Sequence, residues 1–198
     1  MLAVTTTPTS TRLTALATVK AEIGLLATAD DAVLTTLIDQ ASAQVAAFVN
    51  RTLAVASYSE RFDFRRPVAN LMLARWPVVE VTSVTVDGTA LTSAEWIIED
   101  AGCLTRQDDD GDLQDWLGRV VVAYRAGYTL PGAAARNLPH DIERAAIMLV
   151  VSAYQGRGRD PAVRSETVEG CGETTWFPDG IPPTIAAILE PHRQVSMG

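Results

Sequence analysis

The chain has 198 residues, 47% of them hydrophobic and 20% charged, which suits one globular domain with appendages or one domain plus a small lobe. Its 24 acidic and 16 basic residues leave a formal charge of −8, the wrong sign for a protein that grips phosphate backbones, so tight nucleic-acid binding is not expected. No apolar run approaches the roughly 20 residues that would span a bilayer, and "MLAVTTTPTSTRLT" has neither the basic region nor the apolar run of a signal peptide. Folding in a cytoplasm, away from membranes, is the expectation.

Residues 1–12 are small and hydroxylated and read as an arm that orders only when docked. Leu13, Leu16, Val19, Ile23 and Leu26 recur at three- and four-residue intervals and predict a first helix, with Thr11 or Thr14 available as its cap. A second helix runs through "DDAVLTTLIDQASAQVAAFVN". Leu34, Leu37, Ile38, Ala41, Val45, Phe48 and Val49 form its stripe, Asp30 and Asp31 sit where the helix dipole favours negative charge, and Asn50 suits the exit.

The period then changes to two. "SYSERFDF" alternates Tyr58, Glu60, Phe62 and Phe64 with smaller or polar residues; further strands lie on either side of Pro77, and Asp87-Gly88 is a tight-turn dipeptide. "EWIIED", "CLTRQ" and "RVVVAY" complete a small antiparallel sheet, with "DDDGDLQDW" as a loop before the last strand. Pro139 opens a third helix whose face is Ile142, Ala145, Ala146, Leu149 and Ala153, with Asp141 and Glu143 in its first turn.

Residues 157–183, rich in glycine, proline and charge, read as a long surface loop. A short helix follows, with Ile185, Ile188 and Leu189 on one side; at barely two turns it needs a docking surface, in its own chain or another. The expected fold is therefore α+β. A helical core of three main helices (13–56 and 126–156) carries an inserted antiparallel β-sheet lobe (57–125), a long loop and a C-terminal docking segment (184–198).

Catalytic chemistry finds little support. Cys103, Cys171, His140 and His192 are the only residues of their types and none has a neighbour at metal-ligand spacing, which argues against zinc, haem and iron–sulfur cofactors; the thiols are read as free and without function. Asp108, Asp109, Asp110, Asp112 and Asp115 form an acidic cluster, but alignment on Gly111 puts Arg106 and Leu117 at the first and last positions of a calcium loop, where ligands are required. A solvated hairpin tip is the default, with a looser carboxylate metal site as the alternative. There is no G-x-S-x-G elbow, and "GRGRD" lacks the lysine and hydroxyl of a phosphate loop. His140 reads as an exposed helix-end residue, and His192 with Arg193 as complements to the negative end of the last helix. Trp76, Trp96 and Trp116 fall in or beside the sheet region, where core or edge roles are commoner. Trp176 and Phe177 stand in the long loop, tucked onto the domain or reserved for a neighbour.

The order of these features resembles a known family. "LTALATVKAEIGL", "DDAVLTTLIDQASAQVAAFVNR", "RWPVVEVTSVTVDG", "YRAGYTLPGAAARNLPHDIERAAIMLVVSAYQGRG" and "IPPTIAAILEPHR" together resemble the head–tail connector, or adaptor, proteins of long-tailed phages and of phage-like particles such as gene transfer agents. The most specific signal is the Y-x-A-G-Y strand end, followed by "LP" and a helix ending in "AYQGRG". The strand-rich middle, roughly 57–125, is larger than in shorter members. The resemblance implies a non-enzymatic virion protein without cofactors, assembled in the host cytoplasm into a ring of typically twelve subunits. That ring binds beneath the portal and presents a platform for the next neck or tail-completion protein, while DNA passes through without specific binding. It makes Tyr124, Gly127 and Tyr128 a structural turn at the joint between sheet and third helix, and Ile185, Ile188, Leu189 and Arg193 portal-docking residues. If twelve copies at −8 each present an acidic inner wall, phosphates are repelled, with a field that reaches only about 8 Å at physiological salt. Two rivals remain: another neck component, a stopper or tail-completion protein, and a metal-dependent enzyme centred on Asp108 to Asp115.

Overall fold

The computed structural model describes residues 1–99, 102–108, 110–158, 165–168, 172–175 and 181–194. The fold is α+β. The chain divides into two compact units: one comprises Met1–Ser10 and Thr52–Thr129, the other Thr11–Arg51 and Leu130–Gly198.

The first unit is built of strands. β1 (Leu2–Thr6), β2 (Ala56–Val68), β4 (Val78–Val86), β5 (Thr89–Ala90) and β9 (Trp116–Ala126) form an antiparallel sheet in the order β1-β2-β9-β4-β5. A second sheet holds β3 (Asn70–Met72), β7 (Cys103–Gln107) and β6 (Trp96–Glu99), with β8 (Leu113–Gln114) paired to β7. The strands on either side of Pro77 thus belong to different sheets. The Asp87-Gly88 turn closes β4 onto β5 with both residues at positive φ (49° and 87°), the signature of a two-residue hairpin loop.

Alternation places Tyr58, Glu60, Phe62 and Phe64 of β2, Val84 of β4, and Val120, Val122 and Tyr124 of β9 toward one apolar cluster, which Leu71, Leu73 and Leu104 of the second sheet region complete. Trp116 is fully buried there and its indole N–H donates to the Leu104 carbonyl at 3.0 Å. The N-terminal stretch read as an arm contributes the edge strand β1, paired with β2 from Leu2↔Glu60 to Thr6↔Ser57. The "DDDGDLQDW" loop contains β8.

The second unit is helical. α1 (Leu16–Ile23), α2 (Asp31–Phe48), α3 (His140–Gln155) and α4 (Pro183–Leu189) pack through the periodic residues. Leu34, Ile38, Ala41 and Val45 of α2 and Ile142, Ala145, Ala146, Leu149 and Val150 of α3 are buried, the larger ones each worth about 1.5–3 kcal/mol as an upper bound. Asn50 takes φ 55° at the exit of α2, as its side-chain type favours.

Several expectations need correction here. α1 is shorter than the apolar repeat suggests, because Gly24 turns left-handed and ends it; Leu26 lies beyond, 95% exposed. Neither Thr11 nor Thr14 caps it: the residue before the helix is Ala15, which makes no side-chain cap, and the Thr14 hydroxyl donates instead to Glu143. Ala153 is exposed, since the buried face of α3 runs through Ile147 and Val150. The segment read as a long loop contains a hairpin of β10 (Ser165–Val168) and β11 (Gly172–Thr175). Among the described residues no helix is long and apolar enough to cross a membrane.

Candidate functional site

The Y-x-A-G-Y segment forms a corner made of backbone. β9 ends at Ala126, and Gly127 takes φ 122°. A Cβ there would lie 2.5 Å from the Ala54 carbonyl oxygen, so only glycine fits. The Gly127 amide donates to the Pro77 carbonyl at 2.9 Å, the Tyr128 amide to Leu53 at 2.6 Å, and the Val55 amide back to Tyr128 at 3.2 Å. Three stretches of chain are tied at one point by bonds that need no particular side chain.

Tyr124 lies in the core of the sheet unit itself, its ring centroid 5.6 Å from that of Tyr58. Its hydroxyl donates to Glu60 Oε2 at 3.0 Å, and the same oxygen accepts the Ala74 amide at 3.0 Å. Burial, followed by the charge of Glu60, pushes the phenol well above its ordinary range. Tyr124 is therefore a fixed donor that holds a buried carboxylate. Glu60 stands between Tyr58 and Phe62 in the period-two run, and that alternation turns it inward, toward Tyr124.

The C-terminal segment docks on its own unit. Ile185 and Leu189 are buried where α4 packs on α3 and α2, and Ile188 is half-buried. A 3₁₀ turn, Glu190–His192, then brings His192 Nε2 to 2.6 Å from Asp141 Oδ2 in the first turn of α3. Beyond it, the Gln194 amide donates to Val49 O at 2.8 Å, Asn50 Nδ2 donates to Gln194 O at 3.3 Å, and the Arg193 guanidinium lies 5.6 Å from the Phe48 ring centroid. Burial pushes the Asp141 carboxyl up, but the His192 hydrogen bond, the Ile142 amide and the imidazole charge hold it below the ordinary value. The short helix thus has its docking surface within its own chain. Arg193 remains exposed, close to Glu190.

Acidic residues at the helix starts also bind distant partners, beyond complementing dipoles. Asp30 accepts from the Tyr154 hydroxyl at 2.6 Å and from Arg157 at 3.3 Å, and both contacts, the hydroxyl first, hold its carboxyl low. Asp31 pairs with Lys20, and buried Glu143 takes both Arg136 and the Thr14 hydroxyl. One partner, Arg136, is seven residues away and the other, Thr14, lies 129 residues away, so the periodicity of α3 alone does not reveal the burial of Glu143.

The acidic cluster is a turn. Asp108 Oδ1 accepts the Asp110 and Asp112 amides at 3.1 and 2.9 Å, and Oδ2 accepts Gln114 Nε2 at 2.9 Å. The Asp112 amide is the leading cause of its lowered pKa. This carboxylate is committed to its own loop, while Asp110, Asp112 and Asp115 are exposed. Among the described residues no group of three or more histidines, cysteines, aspartates or glutamates is placed to hold a metal. His140 is exposed at the start of α3, and Cys103 is half-buried. Trp176, Phe177, Asp109 and Cys171 lie outside the described residues.

Residues 12–195 match the family model for head completion proteins. The chain belongs to the head completion protein family. Members of this family are structural proteins and not enzymes, which removes the metal-dependent reading of Asp108 to Asp115. No curated protein matches this head completion protein. Its fold is similar to that of a chain from the neck of a native gene transfer agent particle computed with C12 symmetry, with a TM-score of 0.59 and 20% identity over 100% of this chain and 97% of that one. A chain from the virion of the native particle gives 0.58 at 21% identity, and one from the neck of the empty particle, computed with C6 symmetry, 0.57 at 20%, both with the same coverage.

Proposed function

We propose that this head completion protein is a head–tail adaptor, a subunit of a twelve-membered ring that sits beneath the portal in the neck of a tailed phage or gene-transfer-agent-like particle. The observation that carries this reading is the breadth of the match: the family covers residues 12–195, and the fold covers the whole chain and 97% of a neck chain from a particle computed with C12 symmetry. The ring joins head to tail, with the portal on one side, the next neck or tail-completion protein on the other, and DNA passing through its channel. A charge of −8 per copy favours a wall that repels phosphate, within about 8 Å of the carboxylates that face it.

Portal docking falls to the exposed side of the C-terminal segment, Ile188 and Arg193, while Ile185 and Leu189 hold that segment on α3 and α2. The corner at Gly127 serves as scaffold. The reading is tested by mixing the protein with its cognate portal and following co-sedimentation. Wild type is expected to travel with the portal and Arg193→Glu to bind more weakly at an unchanged melting temperature. Failure of wild type to bind the portal would overturn the assignment.

A further inference from the structure

The five-stranded sheet turns one face to the apolar cluster, and the opposite face of β2 and β9 carries an open depression of about 800 Å³ lined by Arg61, Arg65, Arg119, Asp63, Asp87 and Val121, among others. At its edge Gly118 lies in β9 opposite Phe64, and the Asp87 carboxylate packs directly over it, where a Cβ would come within 2.3 Å of the carboxylate. That carboxylate is committed, since Asp87 Oδ1 accepts the Arg119 amide at 2.8 Å. Arg61 and Arg119 share Asp63, at 2.9 and 3.3 Å. With exposed Arg65, the depression holds three guanidinium groups against two carboxylates, Asp63 and Asp87, a mildly basic spot on a chain of net charge −8.

The other sheet carries the opposite sign. The turn between β7 and β8 exposes Asp110 and Asp112, with Asp115 just beyond β8 and Leu113 72% exposed between them. Asp108 fixes the shape of this turn by taking its amides, so the neighbouring carboxylates are held outward at no cost in local hydrogen bonding.

We propose that the acidic β7–β8 turn of one copy docks into the arginine-lined depression of a second copy. Asp110, Asp112 and Asp115 face Arg61, Arg65 and Arg119, and Leu113 covers the apolar edge at Val121. Copies of a strongly acidic chain repel one another, and the depression is where a neighbour's carboxylates gain instead of lose. Because the two patches differ and lie on different sheets, the contact is heterologous, head to tail, the type that closes into rings. This deepens the adaptor reading and rests on it.

Two variants test it, Arg65→Glu with Arg119→Glu, and Asp110→Lys with Asp112→Lys, each checked for a wild-type melting temperature. Rings on the portal are counted by electron microscopy, and self-association of the free protein is followed by sedimentation velocity at raised concentration. Each variant alone is expected to associate about a hundredfold more weakly, because like charges then face each other. An equimolar mixture is expected to restore rings, because reversed depressions accept reversed turns in alternation. Variants that assemble like wild type, or a mixture that stays dissociated, would overturn the contact. A basic-face variant that loses only retention of DNA would instead assign the depression to phosphate and also overturn it. If wild type forms no ring, the adaptor reading falls separately and sedimentation decides the contact. Association specific to the mixture upholds it; its absence overturns it.

Discussion

The two units solve the same problem by different means. In the sheet unit, β9 is bonded to β2 along nearly its whole length and to β4 from Val120 to Ala126, so backbone ladders fix the register and the side chains need only fill the core. Helices offer no such ladder to their neighbours, and the helical unit sets its arrangement with side-chain clamps: Arg12–Asp39, Lys20–Asp31, Arg144–Glu22, Asp30 with Tyr154 and Arg157, and Asp141–His192. The sheet unit also has ion pairs across strands, Arg119–Asp63 and Arg125–Glu80, but these join strands that the ladders already tie. Backbone ladders thus fix the arrangement of one unit, while the other adds side-chain clamps to a core of buried apolar residues.

The sharpest way to break this contrast is at Trp116, fully buried and bonded to Leu104. Trp116→Ala is expected to cost about 3–5 kcal/mol, read as a large fall in the melting temperature. A small fall would mean that the cluster is not what holds the sheets together. Gly127→Ala comes next. Its Cβ would collide with backbone that is itself bonded on both sides, and positive φ strains any replacement, for an expected loss on the order of 1–3 kcal/mol.

Acid should loosen the helical unit first, because the carboxyls held low in the sheet unit, Asp63, Glu95 and Asp108, support loops or strands already tied by backbone ladders. Asp30, Asp39 and Asp141 have carboxyls held below the ordinary 3.8 by distant partners. A depressed folded value means that their contribution is complete above 3.8 and is lost as pH falls through the lower folded values. Far-UV circular dichroism is expected to report helix loss before tryptophan fluorescence reports exposure of Trp116; the reverse order would break the contrast. The smallest effect belongs to Leu26→Ala. That side chain is 95% exposed, and chemical denaturation should show a change within about 0.5 kcal/mol.

Much of this division is legible in the residues. The period-two run from Tyr58 to Phe64 and the three-to-four spacing from Leu34 to Val49 mark strand and helix, because burial on one face imposes those periods directly. Asp87-Gly88 names its own turn. The order of strands is not legible, since β9 joins partners distant in sequence and nothing local distinguishes its two edges. β1 is hidden for the same reason: its partner lies some sixty residues away, as in the bond from the Met1 amine to Arg61 O. At the C-terminus the brevity of α4 signals a need for a surface, but only the packed structure shows that Ile185 and Leu189 find it in α3 and α2. The depression over Gly118 escapes the sequence altogether, because its arginines come from different strands and are brought together only by register.

Electron microscopy of the intact protein with its cognate portal tests the adaptor assignment most directly. A collar of twelve subunits beneath the portal is the predicted result. Portals that stay bare, with the added chain folded and in excess, would contradict it.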